Sequence, residues 1–357
     1  MPARRSQAMT EALRAVAPGT PLREGLDRIL QASKGALIVI GDDPDVLAIC
    51  SGGFLMDAEF SPQRVSELAK MDGAIILARD ASRIARANVH LMPDPSVPTA
   101  ETGTRHRTAE RVARSLDVPV LSVSETMAVI AVYRNGEKHP LEPIPRVIDR
   151  ANQALQTLER YKNRLDAVSG ALSALEVEDL VTVRDVVTML QRSEMVRRIA
   201  EEVQDYIVEL GSDGRLVRLQ LEELMGGVED ERHLVVQDYL RSDTGWRIDH
   251  AVDRLAELST EDLLDLKTVA WVLHIPTDVG GLDAGLQARG YRLLKRVPRL
   301  PDAVIHRVIN HFGDLQKIMR ASVDELDDVD GVGSGRARLI KEGLSRLAES
   351  SILDRYS

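Results

Sequence analysis

The stretch GALIVIG at residues 35–41 is a short run of apolar residues between two glycines. A run of this length without polar alternation is typical of a strand buried on both faces of a sheet. A second such run covers residues 74–78, and helical spacing occurs over residues 13–30 and 109–116. Further strands are predicted over residues 84–92, 118–123 and 127–133. Strands that alternate with helices predict an α/β domain, with a central sheet flanked by helices.

Composition indicates a globular protein with more than one domain. The chain has 357 residues, of which 44% are hydrophobic and 29% charged, and this length suits two or three domains better than one compact core. Aromatic residues make up 3%, so stacking on aromatic rings is excluded as the main mode of any nucleic-acid binding. The formal net charge is -10, so any contact with a polyanion such as DNA requires a local basic patch.

The cysteine count and the hydropathy pattern indicate the compartment. The single cysteine, Cys50, excludes a disulfide framework and a cysteine metal site. Residues 1–20 contain no apolar core of a secretory signal. No uncharged run approaches the roughly 18 residues of a membrane span. We therefore expect a soluble, cytoplasmic protein with no membrane partner.

From Arg146 onward the pattern changes to nearly continuous helix. Apolar residues between Ala151 and Leu175 lie three or four positions apart, which predicts one apolar stripe on a long helix. The loop at residues 275–285, with one proline and three glycines, is the predicted second boundary. We predict an α/β domain over residues 1–147, a helical linker domain over 148–288 and a C-terminal helical domain over 289–357. The C-terminal stretch from Tyr291 holds 12 Lys+Arg against 10 Asp+Glu and is the part suited to face a polyanion.

Residues 102–108, TGTRHRT, combine the features of a phosphate-binding loop. Gly103 allows close approach of the backbone to a ligand, and the helix that follows directs free N–H groups toward an anion. Arg105 and Arg107 add forked donors that suit phosphate oxygens. His106 has three possible roles: hydrogen-bond donor, metal ligand or acid. The hydroxyls of Thr102, Thr104 and Thr108 complete the set. A solvated, arginine-rich helix start is the alternative that composition leaves open.

Asp72-Gly73-Ala74 lies upstream, between the end of a helix and a buried strand. An ordinary Asp-Gly turn is one interpretation. The other is a carboxylate at the rim of the sheet, where it holds a divalent ion or orients a hydroxyl. Ser124, at the end of another strand, could add a hydroxyl to a phosphate site.

A second glycine cluster, VDGVG at residues 329–333, precedes the basic helical pattern ARLIK at 337–341. Gly331 and Gly333 permit a tight hairpin that grips a DNA phosphate without contact to bases. Arg336, Arg338 and Lys341 supply positive charge. A helix connection with a glycine cap is the alternative. Three aspartates at 327, 328 and 330 oppose anion binding, so we expect weak and salt-sensitive affinity for plain duplex.

Asp-Gly-Ala at 72–74, followed by Gly-Thr-Arg-His-Arg-Thr at 103–108, resembles the paired signature of diadenylate cyclase domains. Each motif alone is weak evidence for such a domain, whereas the two motifs in this order on an α/β domain are specific for it. Together with the helical middle and a C-terminal helix-hairpin-helix unit, they resemble the DisA family of DNA integrity scanning proteins across nearly the whole chain, in a form similar to actinobacterial members.

The resemblance implies a nucleotidyltransferase that condenses two ATP into cyclic di-AMP and two pyrophosphates at the interface of two facing domains. It implies Asp72 and His106 as catalytic and metal-binding residues, with Mg²⁺ or Mn²⁺ as the cofactor. Asp72 would lie near the attacking 3′-hydroxyl. The implied ATP-binding residues are Gly73, Ala74, Leu91, Thr102, Gly103, Thr104, Arg105, His106, Arg107, Thr108 and Ser124.

The resemblance also implies partners beyond ATP and cyclic di-AMP. It implies a homo-octamer whose C-terminal domain binds branched DNA such as Holliday junctions and thereby suppresses synthesis, which links DNA damage and repair to the messenger level. The implied DNA-binding residues are Gly331, Gly333, Arg336, Arg338 and Lys341. Two alternatives are a non-enzymatic DNA-binding scaffold that senses nucleotide and a helix-hairpin-helix repair nuclease. The nuclease requires a carboxylate cluster or a catalytic lysine beside the hairpin.

Overall fold

A computed structural model describes residues 5–240, 247–275, 277 and 280–356, with side chains up to residue 350. The chain divides into two compact units, one of Met1–Ala154 with Glu202–Gln220 and one of Leu155–Glu201 with Leu221–Ser357. The predicted boundary loop at 275–285 lies partly outside the described residues, at positions 276, 278 and 279.

One sheet forms the centre of the first unit. Within the described residues its strands run in the order β2-β5-β4-β1-β6-β7-β8, and β3 pairs with β5 beside β2. Strand β1 is parallel to β4 and antiparallel to β6, so the sheet is mixed. The strands are β1 Ala36–Ile40, β2 Cys50–Ser51, β3 Phe54–Glu59, β4 Ala74–Leu77, β5 Arg83–Leu91, β6 Val120–Ser124, β7 Val129–Arg134 and β8 Glu137–Pro140.

Strand β1 is buried on both faces, which explains its uninterrupted apolar sequence. Ile38 and Ile40 belong to a core cluster with Leu26 and other residues of the N-terminal helices. Leu37 and Val39, on the opposite face, belong to a second cluster, which includes residues of the helix after the phosphate-binding loop. The alternation of side chains along the strand therefore contributes to a core on each side of the sheet.

The helices on the two faces begin at recognisable signals. Thr20 and Ser61 each accept a hydrogen bond from a backbone N–H three residues on, and proline follows each of them at the first helical position. The break predicted at Pro18-Gly19 falls between the first two helices. These helices are α1 Gln7–Ala15, α2 Pro21–Gln31, α3 Pro44–Ala48, α4 Pro62–Leu68 and α5 Thr104–Ser115.

The rest of the chain is helical in the residues that the structure describes. The predicted apolar stripe lies on α6. This helix ends at Glu178, Asp179 adopts a left-handed φ of 60°, and α7 begins at Val183. The helices are α6 Ile144–Glu178, α7 Val183–Leu210, α8 Arg215–Met225, α9 Val228–Tyr239, α10 Ile248–Glu257, α11 Thr260–Leu264, α12 Leu266–Val272, α13 Tyr291–Lys295, α14 Asp302–Phe312, α15 Leu315–Arg320, α16 Val323–Asp327 and α17 Gly333–Tyr356.

The predicted fold class is confirmed: a mixed sheet flanked by helices is followed by a helical linker region and a helical C-terminal region. Two parts of the prediction needed correction. Helix α5 begins at Thr104 rather than near Ala109, so much of the phosphate-binding loop forms its first turn. Strands β2, β3 and β8 were not predicted, because β2 has two residues and β3 and β8 are largely exposed.

Candidate active site

A cavity of about 560 Å³ opens where the two sequence motifs meet in the first unit. Its volume lies in the range of small-molecule sites. Strand ends and the first turns of α5 form its wall, so the sheet scaffold fixes the relative positions of the lining residues. The lining consists of Leu37, Asp72, Gly73, Ala74, Asn88, Val89, His90, Leu91, Thr104, Arg105 and Thr108.

An ion pair joins the two motifs across this cavity. Arg105 donates from Nη2 to Oδ1 of Asp72 over 2.7 Å, although 33 positions separate the two residues. The Asp72 side chain is 100% exposed and that of Arg105 is 33% exposed. The exposed pair contributes little to folding stability, and both groups are accessible to a ligand. The structure thus places a carboxylate and a guanidinium side by side in one nucleotide-sized site.

Helix α5 presents an uncapped N-terminus near the same cavity. Its N-cap is Gly103, which has no side chain to accept hydrogen bonds from the first-turn N–H groups. Those donors and the helix dipole favour an anion at this end. Thr104 and Thr108 lie one turn apart on the cavity side of the helix and add two hydroxyls. The local chemistry is therefore that of a phosphate-binding helix start.

Gly73 lies so close to strand β5 that no side chain fits at this position. A Cβ on Gly73 would lie 2.3 Å from the carbonyl carbon and 2.4 Å from the Cα of Asn88. The Gly73 N–H donates to Oδ1 of Asn88 over 3.1 Å. The glycine of the Asp-Gly-Ala motif is thus required for close approach of two backbone segments.

Replacement of Gly73 with alanine is expected to lower turnover by about 10- to 100-fold, because relief of the backbone clash moves Asp72 relative to the bound nucleotide. Initial rates of cyclic di-AMP formation, the activity that the sequence resemblance implies, measure the effect. Gly170→Ala is the control, since a Cβ there meets nothing within 4 Å on helix α6. A Gly73→Ala enzyme with the wild-type rate would show that this close approach has no part in catalysis.

His106 lies in a hydrogen-bond network on the sheet side of α5. Its Nδ1 lies 2.8 Å from Oγ of Ser122 and 3.2 Å from the hydroxyl of Tyr133. The Tyr133 hydroxyl donates to Glu101, which pairs with Lys138. Burial lowers the pKa of His106, against the opposing effect of the Glu101 carboxylate. With Nδ1 occupied, Nε2 is the nitrogen left to reach a metal or a phosphate.

The remaining residues predicted for ATP binding, His106 among them, do not line the cavity. Arg107 and Thr102 are exposed, and Gly103 is the N-cap of α5. Ser124 is buried at the end of β6, where its hydroxyl accepts from the N–H of Met127 over 3.3 Å. The cavity instead includes Leu37, Asn88, Val89 and His90, which sequence reasoning missed. An asparagine inside an apolar strand pattern was the available signal for Asn88.

Comparison with known proteins places the chain in a family. A model described as "DisA bacterial checkpoint controller nucleotide-binding" matches residues 23–138, and one described as "DisA bacterial checkpoint controller linker region" matches residues 141–280. The DNA integrity scanning protein DisA of Parafrankia sp. is 59% identical, over 96% of each chain. The protein of the same name from Streptomyces coelicolor is 56% identical, over 98% of this chain and 94% of its own. The chain belongs to the DisA family.

Membership of the DisA family confirms the activity that the two motifs predicted. The protein is a diadenylate cyclase, which binds ATP and forms cyclic di-AMP. Among solved structures, a double mutant of DacA from Staphylococcus aureus is 24% identical and covers 38% of this chain and 83% of its own, with a TM-score of 0.27. Within the described residues no helix is long and apolar enough to cross a membrane.

The donor set of this DisA-family site fits a metal that is bound together with substrate. In the described part of the chain no group of three or more His, Cys, Asp or Glu side chains could hold an ion. Asp72 nevertheless offers an exposed carboxylate beside the phosphate-binding helix start. Mg²⁺ and similar ions are commonly held by one or two carboxylates together with substrate phosphates. The site therefore fits a divalent ion that enters with ATP.

At the C-terminal end, the predicted hairpin connects α16 to α17. Gly331 and Gly333 adopt left-handed φ values of 74° and 66°, which favour glycine. Arg336 donates to the carbonyl of Gly331 over 2.7 Å, and Arg338 is exposed. Lys341 donates to the carbonyls of Met319 and Ala321, each over 2.7 Å. Its ammonium therefore stabilises the end of α15.

Proposed function

We propose that the cyclase reaction takes place between two subunits whose cavities face each other. Each cavity has one Asp72 and one phosphate-binding helix start, which suits one ATP. The product contains two equivalent phosphodiester links, so two ATP molecules related by a two-fold axis give it directly. The 2.7 Å ion pair between Asp72 and Arg105 is the observation that supports the proposal, because it brings a group suited to act on a 3′-hydroxyl next to a group suited to bind phosphate.

On the hydroxyl side, Asp72 accepts the proton of the 3′-hydroxyl as the oxygen attacks the α-phosphorus of the facing ATP. The new P–O bond forms as the bond to pyrophosphate breaks, and the second attack closes the ring. Exposure of the whole Asp72 side chain leaves room for the ribose beside it. Arg105 lies next to Asp72 and donates to its carboxylate over 2.7 Å.

On the phosphate side, Arg105, Thr104, Thr108 and the first-turn N–H groups of α5 bind the triphosphate and neutralise developing charge. Asp72 and Nε2 of His106 are the groups proposed to hold Mg²⁺ or Mn²⁺. When bound, the ion supplies charge neutralisation at the phosphates and a lower pKa for the hydroxyl. The wall formed by Gly73, Ala74 and Leu91 binds adenosine. Positioning of the two ATP molecules then provides most of the rate enhancement.

The test is the identity of the product. Purified protein is incubated with ATP and either Mg²⁺ or Mn²⁺, and the nucleotides are identified by mass. Cyclic di-AMP and pyrophosphate are expected, with a rate that rises faster than linearly with protein at concentrations where subunits dissociate. Unchanged ATP would favour the nucleotide-sensing scaffold, and strand scission of added DNA would favour the nuclease. A rate per subunit independent of concentration in fully dissociated protein would overturn the two-subunit site.

We propose further that the protein is a cytoplasmic octamer, in which the C-terminal domain, residues 289–357, binds branched DNA and thereby suppresses synthesis. Gly331, Gly333, Arg336 and Arg338 form the contact, and Lys341 stabilises the helix beneath it. Support comes from the left-handed glycines at the hairpin and from the name of the relatives, DNA integrity scanning protein. A backbone hairpin of this kind contacts phosphates without selecting bases, which suits recognition of a DNA shape.

Gly333→Ala is expected to weaken DNA binding by about tenfold or more, because alanine at a left-handed φ costs on the order of 1 kcal/mol or more and shifts the hairpin. Fluorescence anisotropy with a labelled four-way junction at fixed salt measures it. Gly335→Ala is the matched control, since this glycine lies in the same helix turn without a positive φ and a Cβ there meets nothing within 4 Å. Basal cyclic di-AMP synthesis is expected to stay unchanged in both variants. Full suppression of the Gly333→Ala enzyme by the junction would contradict the hairpin assignment.

A further inference from the structure

Asn88 breaks the regular backbone of strand β5 at the wall of the cavity. Its φ is 55°, in the left-handed region, although eight other residues of β5 surround it. The pairing of β4 with β5 shifts register between Ala74 and Ile76, close to this residue. Left-handed backbone inside a strand is strained for most residue types, and asparagine is among the few that tolerate it. Strained residues cluster in binding and active sites, where the surrounding contacts hold them in place.

The side chain of Asn88 holds the turn that carries Asp72. Its Oδ1 accepts from the N–H of Gly73 over 3.1 Å. Because the facing group is a donor, the oxygen must face it, and the side-chain NH₂ then points away from Gly73. The missing Cβ of Gly73 lets the backbone of Asn88 approach within van der Waals distance. One hydrogen bond and one close contact therefore fix Gly73 against β5.

Asp72 depends on this contact for its position. Its side chain is fully exposed, so packing does not orient it. The peptide that joins Asp72 to Gly73 is the rigid link next to the carboxylate. Since catalytic groups require placement to well under 1 Å, a turn without this hydrogen bond loses rate without a large loss of nucleotide affinity.

We propose that Asn88 is a positioning residue for the cyclase reaction: through Gly73 it sets the place from which Asp72 acts on the 3′-hydroxyl. This inference rests on the proposed role of Asp72. It also explains the residue type at this position. Glycine tolerates the left-handed backbone but has no acceptor, alanine has neither property, and aspartate has both. Asparagine adds the acceptor without a second negative charge beside the phosphates.

The experiment compares Asn88→Gly and Asn88→Asp in the full-length protein. Steady-state rates of cyclic di-AMP formation give kcat and KM, and equilibrium dialysis gives ATP affinity without turnover. We expect Asn88→Gly to lower kcat by about tenfold to 100-fold while ATP affinity changes by less than about threefold. At saturating ATP, Asn88→Asp is expected to be several-fold faster than Asn88→Gly, because it restores the acceptor for the Gly73 N–H.

Asn135→Gly is the matched control for the backbone change. Asn135 also has a left-handed φ, 48°, and is exposed in the turn between β7 and β8, outside the residues that line the cavity. It is expected to keep the wild-type kcat. A wild-type kcat in Asn88→Gly, a loss confined to ATP affinity, or an Asn88→Asp enzyme no faster than Asn88→Gly would each overturn the proposal.

The same assays separate this inference from the proposed function. If Asp72→Asn is inactive and Asn88→Gly has the wild-type kcat, the positioning role of Asn88 is wrong and the role of Asp72 stands. If Asp72→Asn turns over at the wild-type rate, the roles of both residues are wrong. If both variants are slow and Asn88→Asp recovers rate, both roles are supported.

Discussion

Replacement of Asp72 with asparagine is expected to lower cyclic di-AMP formation by about 10²- to 10⁴-fold, the usual contribution of a positioned general base. Asparagine has the same size and still offers an oxygen to Arg105, but it does not accept a proton. The loss is therefore expected in kcat. Because the Asp72 side chain is fully exposed, folding stability should stay close to that of wild type.

ATP binding distinguishes loss of chemistry from loss of the site. Arg105, Thr104 and Thr108 remain in place in the Asp72→Asn variant, so ATP affinity measured without Mg²⁺ should stay within a few-fold of wild type. With Mg²⁺ or Mn²⁺ present, a larger loss of affinity is expected if Asp72 also holds the ion. Normal turnover by this variant would falsify the role assigned to Asp72.

Asp57→Asn is the matched control. Asp57 lies in the same unit on strand β3, is exposed, and pairs with Arg83 over 2.6 Å, as Asp72 pairs with Arg105. It does not line the cavity. The exchange removes the same charge from the same kind of surface ion pair, so a wild-type rate is expected. A comparable loss in both variants would point to a general effect of surface charge.

The parts of the fold and of the site that depend on local chemistry were predictable from the sequence. The apolar sequence of β1 indicated a strand buried on both faces, and the structure has a core cluster on each of its sides. Asp72 and Arg105 were paired by motif alone, and they form an ion pair across the cavity. In each case the residue types themselves carry the information, through hydrophobic periodicity or through the chemistry of carboxylate and guanidinium groups.

The contacts that arise from tertiary packing could not be predicted in the same way. Asn88 belongs to the site because β5 pairs with β4 and brings it against Gly73, which no local pattern encodes. The ring of His106 packs toward Ser122 and Tyr133, since its position on α5 faces the sheet. Lys341 was predicted as a DNA contact from its charge. In the structure its ammonium donates to the backbone carbonyls of Met319 and Ala321, which helix packing brings close to it.

A buried ionic cluster in the second unit gives the other large expected effect. Arg292 on α13 is 0% exposed. It donates to Oγ of Ser173 over 2.8 and 2.9 Å and to the carbonyl of Ser169 over 2.7 Å, and it pairs with Glu176 at 3.2 Å. Glu231 lies 3.3 Å from its Nε. A single buried guanidinium thus joins α6, α9 and α13.

Arg292→Met is expected to destabilise the second unit by about 3–5 kcal/mol, because it leaves Glu176 buried without its cation. Chemical denaturation followed by circular dichroism measures the loss. ATP binding should persist, since the cavity lies wholly in the first unit. Arg346→Met, at an exposed position on α17, is the control and should change stability by less than about 0.5 kcal/mol.

The pH dependence of this loss tests its cause. Burial raises the pKa of Glu176 to about 7, against the effect of Arg292, and the neighbouring Asp238 raises it as well. In wild type, the stability associated with Glu176 falls as pH rises from the unfolded pKa, about 4.3, to about 7, and changes little above that. Without Arg292 the folded pKa rises further, so stability continues to fall above pH 7.

Arg292→Met should therefore be more destabilising at pH 8 than at pH 6. The double variant Arg292→Met, Glu176→Gln removes the carboxyl that titrates, so most of this difference should vanish and part of the stability should return. Tyr239 still donates to the amide oxygen at position 176, as it donates to Glu176 over 2.8 Å in wild type. Equal destabilisation at both pH values, with no recovery in the double variant, would mean that Arg292 acts by packing of its aliphatic chain and not by compensation of a buried charge.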